Sequence, residues 1–219
     1  MKVVYAGSLF SVLSMALLFT AADGQGQTPS YMTAKQLILI VALPGDLQTG
    51  LQALLAVLHD VHFSGPDDGW LCGNNGKVYH FAESAWSQIS AATTTNFHCI
   101  YALSENNVWA GGGSGRIFHY EGVSWVRVAT PTTTAIREMA FTSPTEGWAA
   151  CDDGVILHYD GVSWKKFDVS PATSESFSGL YMVDGKHGWA VGTNGVIYEY
   201  RNFPSVTPAS VGRIKALMR

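Results

Sequence analysis

The chain has 219 residues, of which 47% are hydrophobic, 12% aromatic and only 14% charged, and its formal net charge is −4. This composition supports a packed core and excludes a disordered chain, while the length fits one all-β domain or a small pair of domains. The charge is uneven, because residues 23–200 hold 8 basic and 17 acidic side chains. Since so acidic a body repels phosphate backbones, nucleic acid is not expected as a partner.

The first 22 residues predict a signal peptide. Lys2 gives a positive start, residues 3–19 are mostly apolar, and small residues at 20–22 precede a polar stretch. We therefore expect a secreted, periplasmic or otherwise extracytoplasmic protein. An uncleaved N-terminal anchor is the alternative, and no other membrane contact is expected.

Residues 23–60 form an N-terminal segment with two predicted elements. Gln36–Leu43 is apolar and β-branched, which predicts a strand available to complete the last of the sheets described below. In residues 46–58, five leucines fall on one helical face and predict a short amphipathic helix.

Residues 61–201 contain a repeat of about 40 residues. Its clearest member is a Trp at positions 70, 109, 148 and 189, with spacings of 39, 39 and 41 residues. A glycine follows each Trp after six residues, and a His-aromatic pair follows after ten in the first three repeats. Self-similarity at this period predicts an all-β fold, a β-propeller of about four four-stranded blades. The expected blades are about 61–97, 98–136, 137–177 and 178–201.

Each blade is expected to be an antiparallel meander of short strands joined by tight turns. Gly76, Gly115, Gly154 and Gly195 are expected at positive φ in the turn between the second and third strands. A second Trp repeats at positions 86, 125 and 164 but is absent from the fourth blade, where Pro204 interrupts the chain. We therefore expect the fourth blade to lack its outer strand, and residues 202–219 to form a basic C-terminal tail.

The repeat units resemble BNR-type propeller repeats of the sialidase-like superfamily, as found in photosystem II assembly and stability factors. The segments that carry the resemblance are GWLCGNNGKVYHF, VWAGGGSGRIFHYEGVSW, GWAACDDGVILHYDGVSW and GWAVGTNGVIYEY. The resemblance implies an exported, non-catalytic scaffold that binds a protein or glycan partner, in the thylakoid lumen if the source is photosynthetic. A sialidase-like glycoside hydrolase is the alternative function.

Members of this repeat class commonly have more than four blades, which leaves three arrangements open. The chain is a compact four-bladed ring, or it self-associates to complete a propeller, or it is a truncated fragment without independent function. We favour the compact ring, because an open stack leaves an apolar blade face and an unpaired edge in water.

Three histidines occupy equivalent positions of the repeat and are therefore candidate metal ligands: His80, His119 and His158. Each lies on the third strand of its own blade, about two strand spacings of ~4.8 Å from the inner strand, too far apart to share an ion with ~2.1 Å bonds. We expect them to pack or hydrogen-bond beside the neighbouring aromatic residues. No metal, cofactor or catalytic residue is expected.

Cysteine chemistry leaves two alternatives. Cys72, Cys99 and Cys151 form either one disulfide and a free thiol or three buried thiols.

A binding surface is expected at one end of the blades. In a four-stranded meander, the turns between second and third strands emerge at the same end as the connections between blades. These segments are rich in hydroxyl and amide groups with a slight negative bias, although ordinary turns use the same residues. The candidate binding residues are Asn74, Asn75, Ser114, Asp152, Asp153 and Asn194.

Overall fold

The computed structural model describes residues 57–201 and the backbone of residues 213–216. These residues form four antiparallel sheets of four strands each, in which the strands follow one another in chain order. The predicted β-propeller with about four four-stranded blades is confirmed. No helix among the described residues is long and apolar enough to cross a membrane.

The four sheets, called blades 1 to 4, have the following strands. Blade 1 contains β1 (Leu58–Gly65), β2 (Asp68–Gly73), β3 (Val78–Ala82) and β4 (Ala85–Gln88). Blade 2 contains β5 (Phe97–Ser104), β6 (Asn107–Gly112), β7 (Ile117–Tyr120) and β8 (Trp125–Val128). Blade 3 contains β9 (Ile136–Ser143), β10 (Glu146–Cys151), β11 (Ile156–Tyr159) and β12 (Trp164–Phe167). Blade 4 contains β13 (Phe177–Asp184), β14 (His187–Gly192), β15 (Ile197–Arg201) and β16 (Arg213–Ala216).

The turn between the second and third strands has the geometry that the repeated glycine predicts. In blade 1 the φ angles of Asn75 and Gly76 are 56° and 69°, and the Lys77 N–H donates to the Asn74 carbonyl at 3.1 Å. Two central residues at positive φ are typical of the type I′ hairpin, which matches the twist of the flanking strands. The corresponding glycines of the other blades also have positive φ, at 65°, 69° and 74°.

Large aromatic side chains fill the wedges between neighbouring blades. Trp70 of blade 1 packs on Tyr120 of blade 2 with ring centroids 5.1 Å apart, and Trp109 of blade 2 packs on Tyr159 of blade 3 at 5.0 Å. Because one meander cannot shield both of its faces, blades 1 to 3 each bury an apolar face against the next blade. The inner strands accordingly pack in chain order, β1 on β5, β5 on β9 and β9 on β13.

The fourth blade differs from its prediction. Its outer strand is present as β16, in which Ile214 pairs with Tyr200 in the register position that Trp125 takes opposite Tyr120. The absence of the second Trp and the presence of Pro204 therefore led to a wrong prediction. An outer strand needs only a few extended residues to pair with its neighbour, and residues 213–216 provide them after Pro204. Residues 213–216 of the expected tail are thus part of the propeller. The place expected for Gln36–Leu43 is taken by β16.

The favoured compact ring is not what the described strands form. The inner strand of blade 4 packs on blade 3, and among the described strands it makes no comparable contact with β1 of blade 1. Blade 4 consequently has one face without a neighbouring blade among the described residues.

Several sequence predictions lie outside the described residues. These are the signal peptide at 1–22, the segment Gln36–Leu43 itself and nearly all of the predicted helix at 46–58. Leu58, assigned to the end of that helix, is instead the first residue of β1. The cysteine alternatives are decided: Cys72, Cys99 and Cys151 are buried and no disulfide joins them. Burial raises the pKa of the Cys151 thiol to about 12.

Candidate binding face

The turns between second and third strands and the connections between blades meet at one end of the molecule. The Gly76 N–H donates to the Thr95 carbonyl at 2.8 Å, and the Asn75 N–H donates to Asn96 Oδ1 at 2.9 Å. A Cβ added to Gly76 would lie 1.9 Å from the Thr93 carbonyl oxygen, so the turn sits directly on the connection. This end, here called the loop face, consists of turns 74–77, 113–116, 152–155 and 193–196 and connections 89–96, 129–135 and 168–176.

All six candidate binding residues lie on the loop face. Four of them occupy the same position of their turns, the first residue at positive φ, and are exposed: Asn75, Ser114, Asp153 and Asn194. The other two, Asn74 and Asp152, precede these tips and are half-buried. The expected gathering of these residues at one end is thus observed, while their binding role stays a prediction.

Asp152 belongs to an ion pair with the inner strand of its blade. Arg137 Nε donates to Asp152 Oδ1 at 2.8 Å and its second terminal nitrogen donates to Oδ2 at 2.6 Å, a two-pronged contact that fixes both side chains. The hydrogen-bonded guanidinium holds the pKa of Asp152 below its usual range, and Asp152 in turn raises the pKa of Arg137.

The loop face also carries a row of basic and imidazole side chains that sequence reasoning missed. His59, His98 and Arg137 each lie eleven residues before the repeated Trp, at the start of the inner strands of blades 1 to 3. His59 Nε2 donates to Asn74 Oδ1 at 2.8 Å, and the rings of His59 and His98 are 5.6 Å apart. Burial lowers the pKa of His98, and the neighbouring Arg137 and His59 lower it further. Aligning the repeats on their Trp would have revealed this row.

The connection that leads into blade 4 contributes an acidic residue to the loop face. Glu175 Oε2 accepts hydrogen bonds from Thr193 Oγ1 at 2.5 Å and from Asn194 Nδ2 at 2.8 Å. These two donors lower the pKa of Glu175. The loop face therefore changes across the molecule, from imidazole and guanidinium groups on blades 1 to 3 to carboxylates on blades 3 and 4.

The three repeated histidines pack and form hydrogen bonds within their own blades, as predicted. The ring nitrogens of His80, His119 and His158 lie 2.6 to 2.8 Å from an oxygen of Asp68, Asn107 and Glu146 respectively, each in its own blade. Each ring also lies against the repeated Trp of its blade, with centroids 3.9 to 4.3 Å apart. Their role is to join second and third strands within a blade.

A cavity of about 330 Å³ opens between the four inner strands. Asp60 in its wall is buried, and its two oxygens accept the backbone N–H groups of Val61 at 2.8 Å and of Ile100 in blade 2 at 2.9 Å. His62 Nδ1 accepts the Ala102 N–H at 3.3 Å. Side chains of β1 thus satisfy backbone groups on the free edge of β5. Other residues that line the cavity are Tyr101, Glu138, Tyr181 and Met182.

No family model and no curated protein sequence matches the chain. Among solved structures, "YCF48 bound to D1 peptide" is 18% identical with a TM-score of 0.55, and the match covers 75% of this chain and 54% of that one. YCF48 from Cyanidioschyzon merolae is 12% identical with a TM-score of 0.55, over 66% of this chain and 50% of that one. An ancestral GH74 enzyme is 12% identical with a TM-score of 0.56, over 73% of this chain and 25% of that one.

The chain spans about half the length of the YCF48 structures that it matches. At these identities the comparisons show the fold and not the task. The resemblance to assembly-factor and sialidase-like propeller repeats is thereby confirmed at the level of fold: the described residues are propeller blades of the kind found in YCF48 and in GH74 enzymes.

Proposed function

We propose that this chain is a non-catalytic scaffold, exported from the cytoplasm, that binds a peptide segment of a partner protein on its loop face. The observation that carries the proposal is that the row of His59, His98 and Arg137 shares this face with all six residues expected to bind. The similar structure of YCF48 with a D1 peptide supports a propeller of this kind as a peptide-binding protein. Export is supported by the composition of the first 22 residues.

The turn tips suit recognition because the blades hold them rigidly. Asn75, Asp153 and Asn194 project polar groups from hairpins whose backbone is fixed by hydrogen bonds to the adjacent connections. Such loops on a stiff scaffold bind with little loss of conformational entropy. Amide and carboxylate groups can pair with the backbone and polar side chains of an extended peptide.

The charges on the loop face favour one direction of binding. An acidic side chain or a terminal carboxylate of the peptide would be attracted to Arg137 and could accept a hydrogen bond from the His98 ring, whose lowered pKa favours the neutral form. A basic side chain would be attracted to Asp153 and Glu175, which are exposed or half-exposed on the other side. Complementary charge of this kind contributes to orientation and association rate more than to affinity.

The non-catalytic part of the proposal has its own support. Asp60, a buried carboxylate of the cavity, has both oxygens occupied by backbone N–H groups. A general acid or base needs a carboxyl group within hydrogen-bond reach of the substrate. A glycan is the alternative ligand of the loop face, and a glycoside hydrolase related to the GH74 fold is the alternative function.

The proposal is tested by selecting peptides from a random phage-displayed library on the purified chain and measuring their affinity by fluorescence anisotropy. We expect His98→Ala and the double change Asp152→Ala with Asp153→Ala each to weaken binding by about tenfold. The matched control is Val123→Ser, which alters an exposed apolar residue at the opposite end of the blades. Its affinity should equal that of the unaltered chain.

Two results would count against the proposal. If the selected peptides bind the loop-face variants as tightly as the unaltered chain, the binding face is elsewhere. The second is turnover of a chromogenic glycoside from a test panel that is abolished by substituting a cavity carboxylate, such as Glu138→Gln. That result would show that the chain is a hydrolase and not a non-catalytic scaffold.

A further inference from the structure

Blade 4 ends in an apolar face that is built like a blade-to-blade interface. Tyr181, Val183, Trp189 and Val191 alternate along β13 and β14 and lie on the side turned away from blade 3; together they are called the open face. Trp109, at the same repeat position in blade 2, is 2% exposed, whereas Trp189 is 36% exposed and Tyr181 is 66% exposed. A contiguous apolar patch of this kind marks an interaction surface.

Blade 1 carries the complementary half of such an interface. Phe63, Tyr79 and Phe81 lie on its side turned away from blade 2 and are called the leading face. Phe63 is 40% exposed, whereas Phe141, at the same position in blade 3, is 6% exposed because blade 2 packs on it. Tyr79 is half-buried, whereas Phe118 and Leu157, its equivalents in blades 2 and 3, are buried.

From these two faces we propose that two copies of this chain associate head to tail, with the open face of each copy packed on the leading face of the other. The contact repeats, residue for residue, the packing that already joins the blades within one chain. This inference is independent of the proposed function.

Two specific contacts predict how the faces fit. Trp109 packs on Tyr159 of the following blade at 5.0 Å, so Trp189 is expected to pack on Phe81 of the second copy. The Tyr101 hydroxyl donates to the Phe141 carbonyl of the following blade at 3.0 Å. Tyr181 has the repeat position of Tyr101, and Phe63 that of Phe141. The Tyr181 hydroxyl is therefore expected to donate to the Phe63 carbonyl of the second copy.

Symmetry favours two copies over a longer assembly. Head-to-tail contacts form either closed rings or open filaments, according to the rotation that each contact adds. Two sets of four blades make eight, within the range of about four to eight blades that propellers adopt. A two-fold axis along the propeller axis would place both loop faces on the same side and join them into one continuous surface.

The test measures the mass of the full chain and its variants by light scattering during size-exclusion chromatography. We expect a dimer for the unaltered chain, and monomers for Trp189→Glu and for Phe63→Lys. Mixing these two variants should restore a dimer, because one of its two interfaces then contains only unaltered residues. Val162→Glu, which adds the same charge at an exposed residue away from both faces, should remain a dimer.

Tyr181→Phe sharpens the test, since the dimer has two interfaces and each loses one hydrogen bond, which should weaken dimerisation by about 5- to 100-fold. Melting curves establish that each variant is folded, and Phe63→Ser replaces Phe63→Lys if the latter is not. A monomeric unaltered chain overturns the proposal, as does a filament. A dimer that is lost in Trp189→Glu but kept in the Phe63 variant also overturns it, because the open faces would then pack on each other.

Discussion

The second and fourth blades have the same motif in the same register, yet only one of them buries it. Trp109 pairs with Tyr101, and Trp189 pairs with Tyr181, at equivalent places of the two sheets. Trp109 is covered by Phe141, Tyr159 and Trp164 of blade 3, whereas Trp189 is substantially exposed. The repeat motif therefore encodes half of an interface, and its contribution to stability depends on whether another blade supplies the other half.

Truncating the two tryptophans is the strongest way to test this comparison. Trp109→Ala removes a fully packed side chain and is expected to lower the free energy of unfolding by about 3–5 kcal/mol. Trp189→Ala removes a partly exposed side chain and is expected to cost roughly 1 kcal/mol or less. Urea unfolding followed by circular dichroism, at low protein concentration so that association does not contribute, measures both.

The control is Trp148→Ala, since Trp148 is as buried as Trp109 and packs on Tyr200 of blade 4. It should behave like Trp109→Ala. Equal costs for Trp109 and Trp189 at high dilution would contradict the comparison, because they would mean that the open face is packed within a single chain.

The turn glycines separate backbone strain from packing in the same two blades. A Cβ on Gly115 would lie 2.1 Å from the Thr132 carbonyl oxygen of the next connection, whereas a Cβ on Gly195 meets nothing within 4 Å. Both have positive φ, so both alanine variants are strained by about 1–2 kcal/mol. Gly115→Ala adds a clash with backbone, and we expect its total cost to be about 2–4 kcal/mol.

Thermal and urea unfolding of the two glycine variants check this expectation. Gly154→Ala, where the Cβ would lie 1.9 Å from the Thr173 carbonyl oxygen, is the matched third case and should resemble Gly115→Ala. If Gly195→Ala were as costly as the other two, the strain of positive φ alone would account for the repeated glycine, and packing of the turns on the connections would be unimportant.

The parts of the fold that the sequence predicted are those with local causes. The tight turn requires positive φ, which glycine allows in every repeat. The repeated Trp marks the second strand of each blade. β16 lacks such a cause, because its pairing with β15 depends on an available edge and not on a motif. Whether the blades close into a ring depends on the rotation between successive blades. The motif does not encode that rotation, because it is the same at the buried Trp109 and at the exposed Trp189.

The candidate site divides in the same way. The turn tips were predictable because topology alone places second-to-third turns and blade connections at one end. The row of His59, His98 and Arg137 was missed because its repeat position holds His in two blades and Arg in the third, and repeats are usually recognised by identity. The capping of the Ile100 N–H by Asp60 could not be predicted, since it joins side chain and backbone across two blades that only the packed structure brings together.

Two carboxylates of the loop face provide the finest comparison, between blades 3 and 4. The pKa of Asp152 is lowered mainly by hydrogen bonds from the positively charged Arg137, and that of Glu175 by neutral donors on Thr193 and Asn194. In both cases the pKa is lower in the folded than in the unfolded chain. The stabilisation is therefore complete above the ordinary carboxyl range and is lost as the pH falls through the folded-state value.

Removing each carboxylate should accordingly flatten the acid side of the stability profile. Asp152→Asn is expected to cost at most about 1 kcal/mol at neutral pH, since the pair is partly exposed, and to cost nothing once the carboxyl would be protonated. Salt should weaken the Asp152 contribution, because it rests on opposite charges, and should leave the Glu175→Gln difference almost unchanged, because its donors are neutral. Urea unfolding midpoints of both variants, measured from acidic to neutral pH at low and high salt, give these differences in stability. An equal salt response of the two variants would show that charge does not distinguish the two sides of the loop face.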